Sequence, residues 1–281
     1  FTTEELTAFL ARRDSRSRWT RKALLVHHEK QGRLLRVRRG LYCAVPTGAD
    51  PATSPVDAYL LAAKMTDDPV TAVTAQDTAG IKEFACTETE LVIAQARAVL
   101  EDMPVAAFKV GMLGSSEVAS AVSGIVEDYP DIPLILDPIL RSGGGDALAD
   151  NMLDGALRSL LIPQSTLITP NSLEARALAS DADTLDACAQ ELMSLGCEFV
   201  LITGTHEKTP EVVHRLYGNM RLLGTFVFER LPGNYHGSGC TLSSACAASL
   251  AHGLDPANAI TQALHYTWHS LKHGYRLGMG Q

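Results

Sequence analysis

The chain of 281 residues is rich in aliphatic side chains, contains 6% aromatic residues and carries a formal net charge of −8. It has no run of 18 apolar residues, so a membrane-spanning helix is not expected. Its six cysteines form no C-x-x-C pair, which argues against a zinc site and for reduced thiols. The opening segment, FTTEELTAFLARR, begins with acidic residues where a signal peptide would have basic ones. These features together predict a cytoplasmic protein.

The charge is distributed unevenly along the chain. Residues 1–68 contain 12 Lys and Arg against 8 Asp and Glu, a net charge of +4, which leaves −12 for residues 69–281. The composition changes at Asp67-Asp68-Pro69. We therefore expect two parts with different partners, a small basic one over 1–68 and a larger acidic one over 69–281.

The first part has the element order of a winged helix. Thr2 and Glu5 form a capping box before an apolar helix, and residues 17–28 place apolar side chains at helical spacing. Residues 34–45 then form two short β runs around the basic stretch RRG at 38–40, a pattern typical of a two-stranded hairpin.

The stretch GRLLRVRRGLY at 32–42, together with PVDAYLLAAKMTDD at 55–68, resembles the N-terminal domain of the abortive-infection type IV antitoxins. The resemblance implies a winged-helix module that binds DNA through residues 1–45. The basic side chains available for phosphate contacts are Arg18, Arg21, Lys22, Arg36, Arg38 and Arg39. The alternative is a solvated charged surface, because no base-reading residue can be identified.

Beyond residue 69, short β runs alternate with helical stretches, which is the order of an α/β layer with a mainly parallel sheet. Strands are predicted at 70–75, 107–110, 134–136, 166–169, 199–203 and 215–216 with 225–228. Helices are predicted at 87–100, 116–127, 151–160, 172–179, 184–195, 241–252 and 256–275. Polar or Gly-containing turns follow five of the strands, at 74–78, 111–113, 137–138, 169–171 and 203–206. Because ligands of such folds bind at the carboxyl ends of the strands, these turns predict one site.

The stretch HGSGCTLSSA at 236–245 places two glycines and several small side chains at the start of the helix predicted over 241–252. Unobstructed backbone N–H groups and the helix dipole can bind an anion such as phosphate at this position. The alternative is a turn that only admits the helix, because a lone G-x-G is weak evidence.

Six motifs occur in the order VTAVTAQDT, FKVGMLGS, LILDPIL, LITPNSLEARAL, LITGTH and HGSGCTLSSA. Together they make residues 70–281 similar to the hydroxymethylpyrimidine and phosphomethylpyrimidine kinases of thiamine biosynthesis, within the ribokinase-like superfamily. The resemblance implies a ribokinase-like α/β fold, with a mainly parallel sheet flanked by helices. It also implies phosphorylation of hydroxymethylpyrimidine, of its monophosphate, or of both, with ATP and Mg²⁺ as cofactors.

By this resemblance, Gly237, Ser238, Gly239 and Cys240 form the catalytic anion hole around the transferred phosphoryl group. Cys240 stands where many sugar kinases have an Asp base, and its position at a helix N-terminus is expected to favour the thiolate. The alternative is that Cys240 is a small buried hydrophobic residue.

The resemblance also assigns residues around the anion hole. The substrate-binding positions are Gln76, Met112, Ile139 and His236. The ATP-binding positions are Asp137, Asn171, Thr203 and Thr205, with Thr203 in the place of a usual phosphate-binding Lys. Mg²⁺ is held through water by Asn171 and Glu174. Without the resemblance, Asn171 and Glu174 are a helix cap and a first-turn acid, Met112 is a core residue and His236 is an exposed loop residue.

The sequence differs in one feature from the kinases that it resembles. They begin with a strand and a Gly-rich turn that contacts the pyrimidine, and nothing of that kind precedes Val70. A DNA-binding regulator, whose kinase-like part is inactive or senses a ligand, is therefore an alternative function. A cysteine hydrolase using Cys240 and His236 is a third, disfavoured because no third catalytic member is evident. The oligomeric state stays open, with a homodimer as one alternative.

Overall fold

The computed structural model describes residues 30–31, 34–38, 41–44, 72–77, 80–140, 152–233 and 235–274. The chain divides into two compact units, Phe1–Asp68 and Pro69–Gln281. Of the helices described, none is long and apolar enough to cross a membrane.

The hairpin predicted in the first unit is confirmed. Strand β1 (Leu34–Arg38) pairs with β2 (Leu41–Ala44) in antiparallel register, with an irregularity between Arg36 and Arg38. The two helices predicted ahead of this hairpin lie outside the described residues. The winged helix therefore stays a prediction.

The second unit opens with another hairpin, in which β3 (Ala72–Asp77) pairs with β4 (Gly80–Cys86) as a separate antiparallel sheet. The sequence predicted a strand of the main sheet at this point, followed by a turn at 74–78, and this was wrong. Gln76 lies within β3, opposite Ile81, and not in a turn beyond a strand. No hairpin was predicted here because the link between the strands, Thr78-Ala79, lacks the Gly, Asn or Asp that favours a tight turn.

The main sheet of the second unit has six strands. They are β5 (Phe108–Val110), β6 (Leu134–Leu136), β7 (Leu167–Ile168), β8 (Phe199–Ile202), β9 (Glu211–Gly218) and β10 (Arg221–Glu229). Their order in the sheet is β10-β9-β8-β7-β6-β5; β5 to β8 are parallel, whereas β9 and β10 are antiparallel additions. The predicted α/β class is confirmed, with a mixed sheet in which β5 is the edge among the described strands.

Every helix predicted in the second unit is found. They are α1 (Thr89–Asp102), α2 (Ser116–Glu127), α3 (Leu153–Ala156), α4 (Ser172–Leu178), α5 (Leu185–Ser194), α6 (Ser238–Ala251) and α7 (Pro256–Lys272). After α3 the chain continues as one turn of π-helix and one of 3₁₀-helix up to Gln164. Ser115 and Asp255 cap α2 and α7 by accepting backbone N–H groups of the first turn.

The central strands are apolar on both faces, as expected of parallel strands covered by helices on each side. In β6, Leu134 and Leu136 belong to one core cluster, whereas Ile135 belongs to a second on the opposite face. The second cluster includes Leu242 of α6 and Ile260 of α7. Because side chains alternate along a strand, the three-residue β6 contributes to both cores, and its carboxyl end is fixed from both sides.

His214 on β9 is a titratable group inside this packing. Its ring contacts Phe228 edge-on at a centroid distance of 5.8 Å, and its Nδ1 atom is buried without a hydrogen-bond partner among the described residues. Burial lowers the pKa of His214 from 6.5 to about 4. The folded state therefore binds fewer protons than the unfolded state between these two values, and its stability falls as the pH falls through them.

We predict that replacing His214 with Phe flattens the acid dependence of stability. Between pH 6.5 and pH 4 the wild type should lose up to about 1.4 kcal/mol per pH unit more than the variant, because one pKa unit corresponds to that free energy. Urea unfolding at several pH values measures the difference. His252→Gln, at an exposed helix end, is the control and should leave the slope unchanged. Equal slopes for wild type and His214→Phe would contradict the prediction.

Candidate active site

Asp137 lies at the centre of the polar side chains that gather at the carboxyl ends of the strands. It directly follows β6, and its backbone N–H continues the ladder to the Val110 carbonyl at 2.8 Å. Its side chain is 6% exposed and pairs with Lys109 of β5 at 3.3 Å. The Ser243 hydroxyl of α6 lies 3.2 Å from the same carboxylate oxygen. Asp137 thus connects two strands of the sheet to helix α6.

Helix α6 begins at Ser238, three residues earlier than predicted, with Gly237 as its N-cap at a φ of +82°. No side chain of the described residues caps it. The bond from Thr241 N–H to the Gly237 carbonyl is 2.9 Å long, so the N–H groups of Ser238, Gly239 and Cys240 precede the helix ladder. A β-carbon at Gly237 or Gly239 would meet no atom within 4 Å, so the space next to these glycines is open. This geometry suits an anion-binding helix terminus.

Cys240 combines a free N–H group with a side chain that faces the acidic groups. Burial, followed by the negative charge of Asp137 and a hydrogen bond to it, raises the pKa of the Cys240 thiol to about 12; the charge of Lys109 acts in the opposite direction. The expectation that the helix N-terminus favours the thiolate is therefore wrong for this site. Burial and a neighbouring carboxylate both disfavour the charged thiolate.

Asn171 and Glu174 form a capping box at the start of α4. Asn171 Oδ1 accepts the N–H groups of Leu173 and Glu174, both at 2.9 Å, and Glu174 Oε2 accepts the Asn171 N–H at 2.9 Å. The helix-cap interpretation of this pair is confirmed. Burial first, and then the charge of Asp137, raises the pKa of Glu174 to about 7, so the two carboxyl groups share one electrostatic environment.

The acidic groups fit a hard divalent cation held through water. Within the described ranges, no group of three or more His, Cys, Asp or Glu could hold a metal ion. Asp137 and Glu174 offer two carboxyl groups, whereas the amide oxygen of Asn171 already accepts two N–H groups. Mg²⁺ keeps several of its waters and needs only one or two carboxylates, so this donor set is suitable for it.

A comparison with protein families identifies the family that has this arrangement of residues. The family model for phosphomethylpyrimidine kinase matches residues 66–281. The chain belongs to this family.

Relatives and solved structures agree with this family. A hydroxymethylpyrimidine/phosphomethylpyrimidine kinase of Mycobacterium tuberculosis is 38% identical over 218 residues, which are 75% of this chain and 79% of that protein. The crystal structure of a phosphomethylpyrimidine kinase from Clostridium difficile has a TM-score of 0.61 at 30% identity and covers 72% of this chain and 85% of that one. An ADP complex of Bacillus subtilis pyridoxal kinase has a TM-score of 0.62 at 27% identity, covering 70% and 75%.

The remaining positions assigned by resemblance to the phosphomethylpyrimidine kinases fall into two groups. Met112 lies in the loop after β5 and Ile139 in the loop after β6, and both are half-buried. The two strands are neighbours in the sheet, and Ile139 follows Asp137 by two residues. Thr203 lies beside Asn171 in an isolated parallel bridge. By contrast, Thr205 and His236 are exposed. The described residues show no hydrogen bond between Cys240 and His236, which removes support from the hydrolase alternative.

The hairpin that carries Gln76 contacts the loop that follows β5. The backbone of Gln76 is described, whereas its side chain lies outside the described part. At Gly114, with a φ of +81°, a β-carbon would come within 2.6 Å of Cys86 Sγ and 3.4 Å of the Phe84 ring. The end of β4 therefore packs directly on the loop that follows β5, which also contains Met112.

Two residues in contact with Asp137, and one that holds the loop containing Thr205, were not assigned from the sequence. They are Lys109, Ser243 and Arg230. The first two were recognisable in principle: Lys109 lies in the FKVGMLGS motif, and Ser243 follows Cys240 by three residues, which places both on one helix face. Arg230 gives no sequence signal, because its contacts are made to backbone carbonyls distant in sequence.

Arg230 fixes the loop that contains Thr205. Its guanidinium donates to the carbonyl oxygens of Thr205 at 2.9 Å, Glu207 at 2.9 Å and Thr209 at 3.1 Å. The Glu207 side chain also pairs with Arg176 of α4 at 2.8 Å. The loop is thus held from two sides although its residues are mostly exposed.

We predict that Arg230→Met loosens this loop. Three hydrogen bonds to backbone carbonyls are lost, so cleavage after the exposed Lys208 by a lysine-specific protease should accelerate by about tenfold. Arg221→Met, an exposed arginine at the start of β10, is the matched control and should be cleaved at the wild-type rate. The prediction fails if Arg230→Met is cleaved no faster than this control.

Proposed function

We propose that this chain transfers the γ-phosphoryl group of ATP to hydroxymethylpyrimidine, to its monophosphate, or to both. The observation that carries the proposal is the open N-terminus of α6 beside the buried carboxylate of Asp137. Phosphoryl transfer needs positioning and charge stabilisation more than covalent help, and N–H groups at a helix terminus supply both. The names of the relatives support the pyrimidine as acceptor.

In this proposal the N–H groups of Ser238, Gly239 and Cys240 bind the phosphoryl oxygens during transfer. In this proposal the Cys240 thiol is neutral, because burial beside Asp137 raises its pKa to about 12, and the acceptor hydroxyl approaches the anion hole next to it. Because the transition state is loose, little proton transfer is required before the phosphorus–oxygen bond breaks. A neutral thiol in contact with Asp137 is therefore compatible with catalysis by positioning.

The nucleotide and the metal ion are assigned to neighbouring residues. Asn171, Thr203 and Thr205 are proposed to contact ATP, which is supported by the bridge between Asn171 and Thr203. Asp137 and Glu174 would hold Mg²⁺ through water. A bound Mg²⁺ would neutralise charge on the phosphates. Met112 and Ile139, with Gln76 and His236, are proposed to line the pyrimidine side.

The decisive test is an assay of ADP formation with ATP, Mg²⁺ and each pyrimidine in turn. ADP formed only when a pyrimidine is present supports the proposal, and the two acceptors show whether one or both steps occur. Absence of ADP with either acceptor, together with tight pyrimidine binding, would favour the alternative of a ligand-sensing regulator.

A second candidate function, DNA binding by residues 1–45, is favoured by the charge distribution. The net charge of +4 is confined to residues 1–68, whereas residues 69–281 carry −12. The described hairpin of β1 and β2 contains Arg36 and Arg38 and is joined by Arg39-Gly40. A basic β-ribbon on a small positive unit suits contacts with the phosphate backbone. The proposal also includes a homodimer of the whole chain, the alternative that the sequence left open for the oligomeric state.

We predict that Gly239→Pro lowers kcat/KM by about 10²- to 10³-fold, the typical effect of removing one N–H donor from an oxyanion site. Proline is tolerated in the first turn of a helix and removes only the backbone donor. Gly239→Ala is the matched control, because it adds a methyl group to open space and keeps the N–H group. Loss of activity that is equal in both variants would show that the N–H group is not the cause.

We predict that replacing Arg36, Arg38 and Arg39 with Glu weakens DNA binding and reduces its salt dependence, because each phosphate contact contributes about 0.9 to the slope of log K against log salt. Fluorescence titration with duplex DNA at several salt concentrations measures both quantities. The pyrimidine-dependent formation of ADP should be unaffected and serves as the folding control. An unchanged binding isotherm would defeat the DNA proposal.

A further inference from the structure

Lys109 has donors to spare at the floor of the candidate site. An ammonium group has three N–H donors. Among the residues that the structure describes, Lys109 uses one of them, toward Asp137 at 3.3 Å. Its side chain is 23% exposed, so Lys109 is not fully buried by the described residues.

The Lys109 side chain extends toward Gly111, which Ile139, one of the positions assigned to the pyrimidine, also approaches. A β-carbon at Gly111 would collide with Lys109 Nζ, so the ammonium group lies directly over this glycine. The position of that added β-carbon is 3.8 Å from Ile139 Cδ1. Lys109 Nζ therefore lies beside Gly111, paired with the carboxylate of Asp137 and on the side where Ile139 also approaches this glycine, and the absence of a side chain at Gly111 makes room for it.

The charges around Lys109 are otherwise acidic. Asp137 is its partner, and the Glu174 carboxyl group lies close enough to Asp137 for the charge of Asp137 to act on it. A phosphomonoester carries a charge of about −1.5 to −2 near pH 7, so it is repelled by these carboxyl groups unless a cation lies between them. The neutral hydroxymethyl group of an unphosphorylated pyrimidine meets no such repulsion.

We propose that Lys109 determines specificity for the phosphorylated acceptor by donating its remaining N–H groups to the substrate phosphate. This assignment rests on the proposed function, since it concerns the second of the two acceptors. Lys109 then bridges Asp137 and the phosphate, and it turns a pocket that repels anions into one that binds them. The unphosphorylated pyrimidine gains little from the same charge.

The test compares the binding of hydroxymethylpyrimidine and of its monophosphate by calorimetry, without nucleotide. Lys109→Gln removes the charge but keeps a donor toward Asp137, and it should weaken binding of the monophosphate by about tenfold or more, the loss expected for a charged hydrogen bond. Binding of the unphosphorylated compound should change less than about threefold. Lys109→Arg should restore most of the affinity for the monophosphate. Lys272→Gln, at the end of α7, is the control for the loss of one positive charge.

Two results with the variants would overturn the assignment. Equal weakening of both ligands by Lys109→Gln would show that the lysine acts only through Asp137, and unchanged binding of the monophosphate would show that it does not contact the phosphate. Thermal unfolding identifies a variant that has lost its fold. The wild type provides a test that needs no variant, because tighter binding of the unphosphorylated compound than of the monophosphate also overturns the assignment.

These measurements separate this assignment from the proposed activity. A wild type that binds the monophosphate through Lys109 but forms no ADP would refute the kinase activity and support the role of Lys109. A wild type that forms ADP from both acceptors, with Lys109→Gln raising KM equally for each, would support the kinase activity and overturn the role of Lys109. Binding of neither compound by the folded wild type would overturn the role of Lys109.

Discussion

The pairing of Lys109 with the buried carboxylate of Asp137 is the interaction on which the candidate site depends. Removing one partner of a buried ion pair lowers the free energy of unfolding by far more than the intact pair contributes to it, because the remaining charge has no compensation in a medium of low polarity. The two residues lie at the ends of the neighbouring strands β5 and β6, and Ser243 brings α6 to the same carboxylate. One side chain thus sets the relative positions of the sheet edge and the anion-binding helix.

Helix α6 can approach Asp137 closely because its sequence is made of small residues. Leu242, Cys246 and Ala247 pack into the core on one face of the sheet, whereas Ser243 turns its hydroxyl toward Asp137. Gly237 at a positive φ allows the chain to turn into the helix, where a side chain would be strained. Packing and chemistry therefore depend on the same short stretch.

The capping box at α4 has two consequences for the site. It satisfies N–H groups at the start of the helix, and it also fixes the Glu174 carboxyl group close enough to Asp137 for the charge of Asp137 to raise the pKa of Glu174. The sequence-based alternatives for Asn171 and Glu174, a helix cap or residues near a metal ion, do not exclude one another. A carboxyl group whose orientation is fixed by its own helix is well placed to hold a hydrated cation.

The sequence determined the α/β class, every helix of the second unit and four of the five turns predicted at the carboxyl ends of the strands. It could do so because helical spacing, apolar β runs and N-cap residues are local signals. The six motifs also predicted the family, which the comparisons confirmed. The glycines and small residues at 237–240 predicted an anion site at the start of a helix, and the structure shows that helix beginning at Ser238, earlier than expected.

Only the tertiary structure decided the role of charges that are distant in sequence. Lys109 and Asp137 are 28 residues apart, and Ser243 is 106 residues from Asp137, so no local pattern relates them. The neutral state of the Cys240 thiol follows from its burial beside Asp137, and no local sequence pattern shows that burial. The place of β3 in a separate hairpin was likewise decided by its partner β4. Pairing and desolvation depend on what surrounds a residue in space, and the sequence specifies those surroundings only through the complete fold.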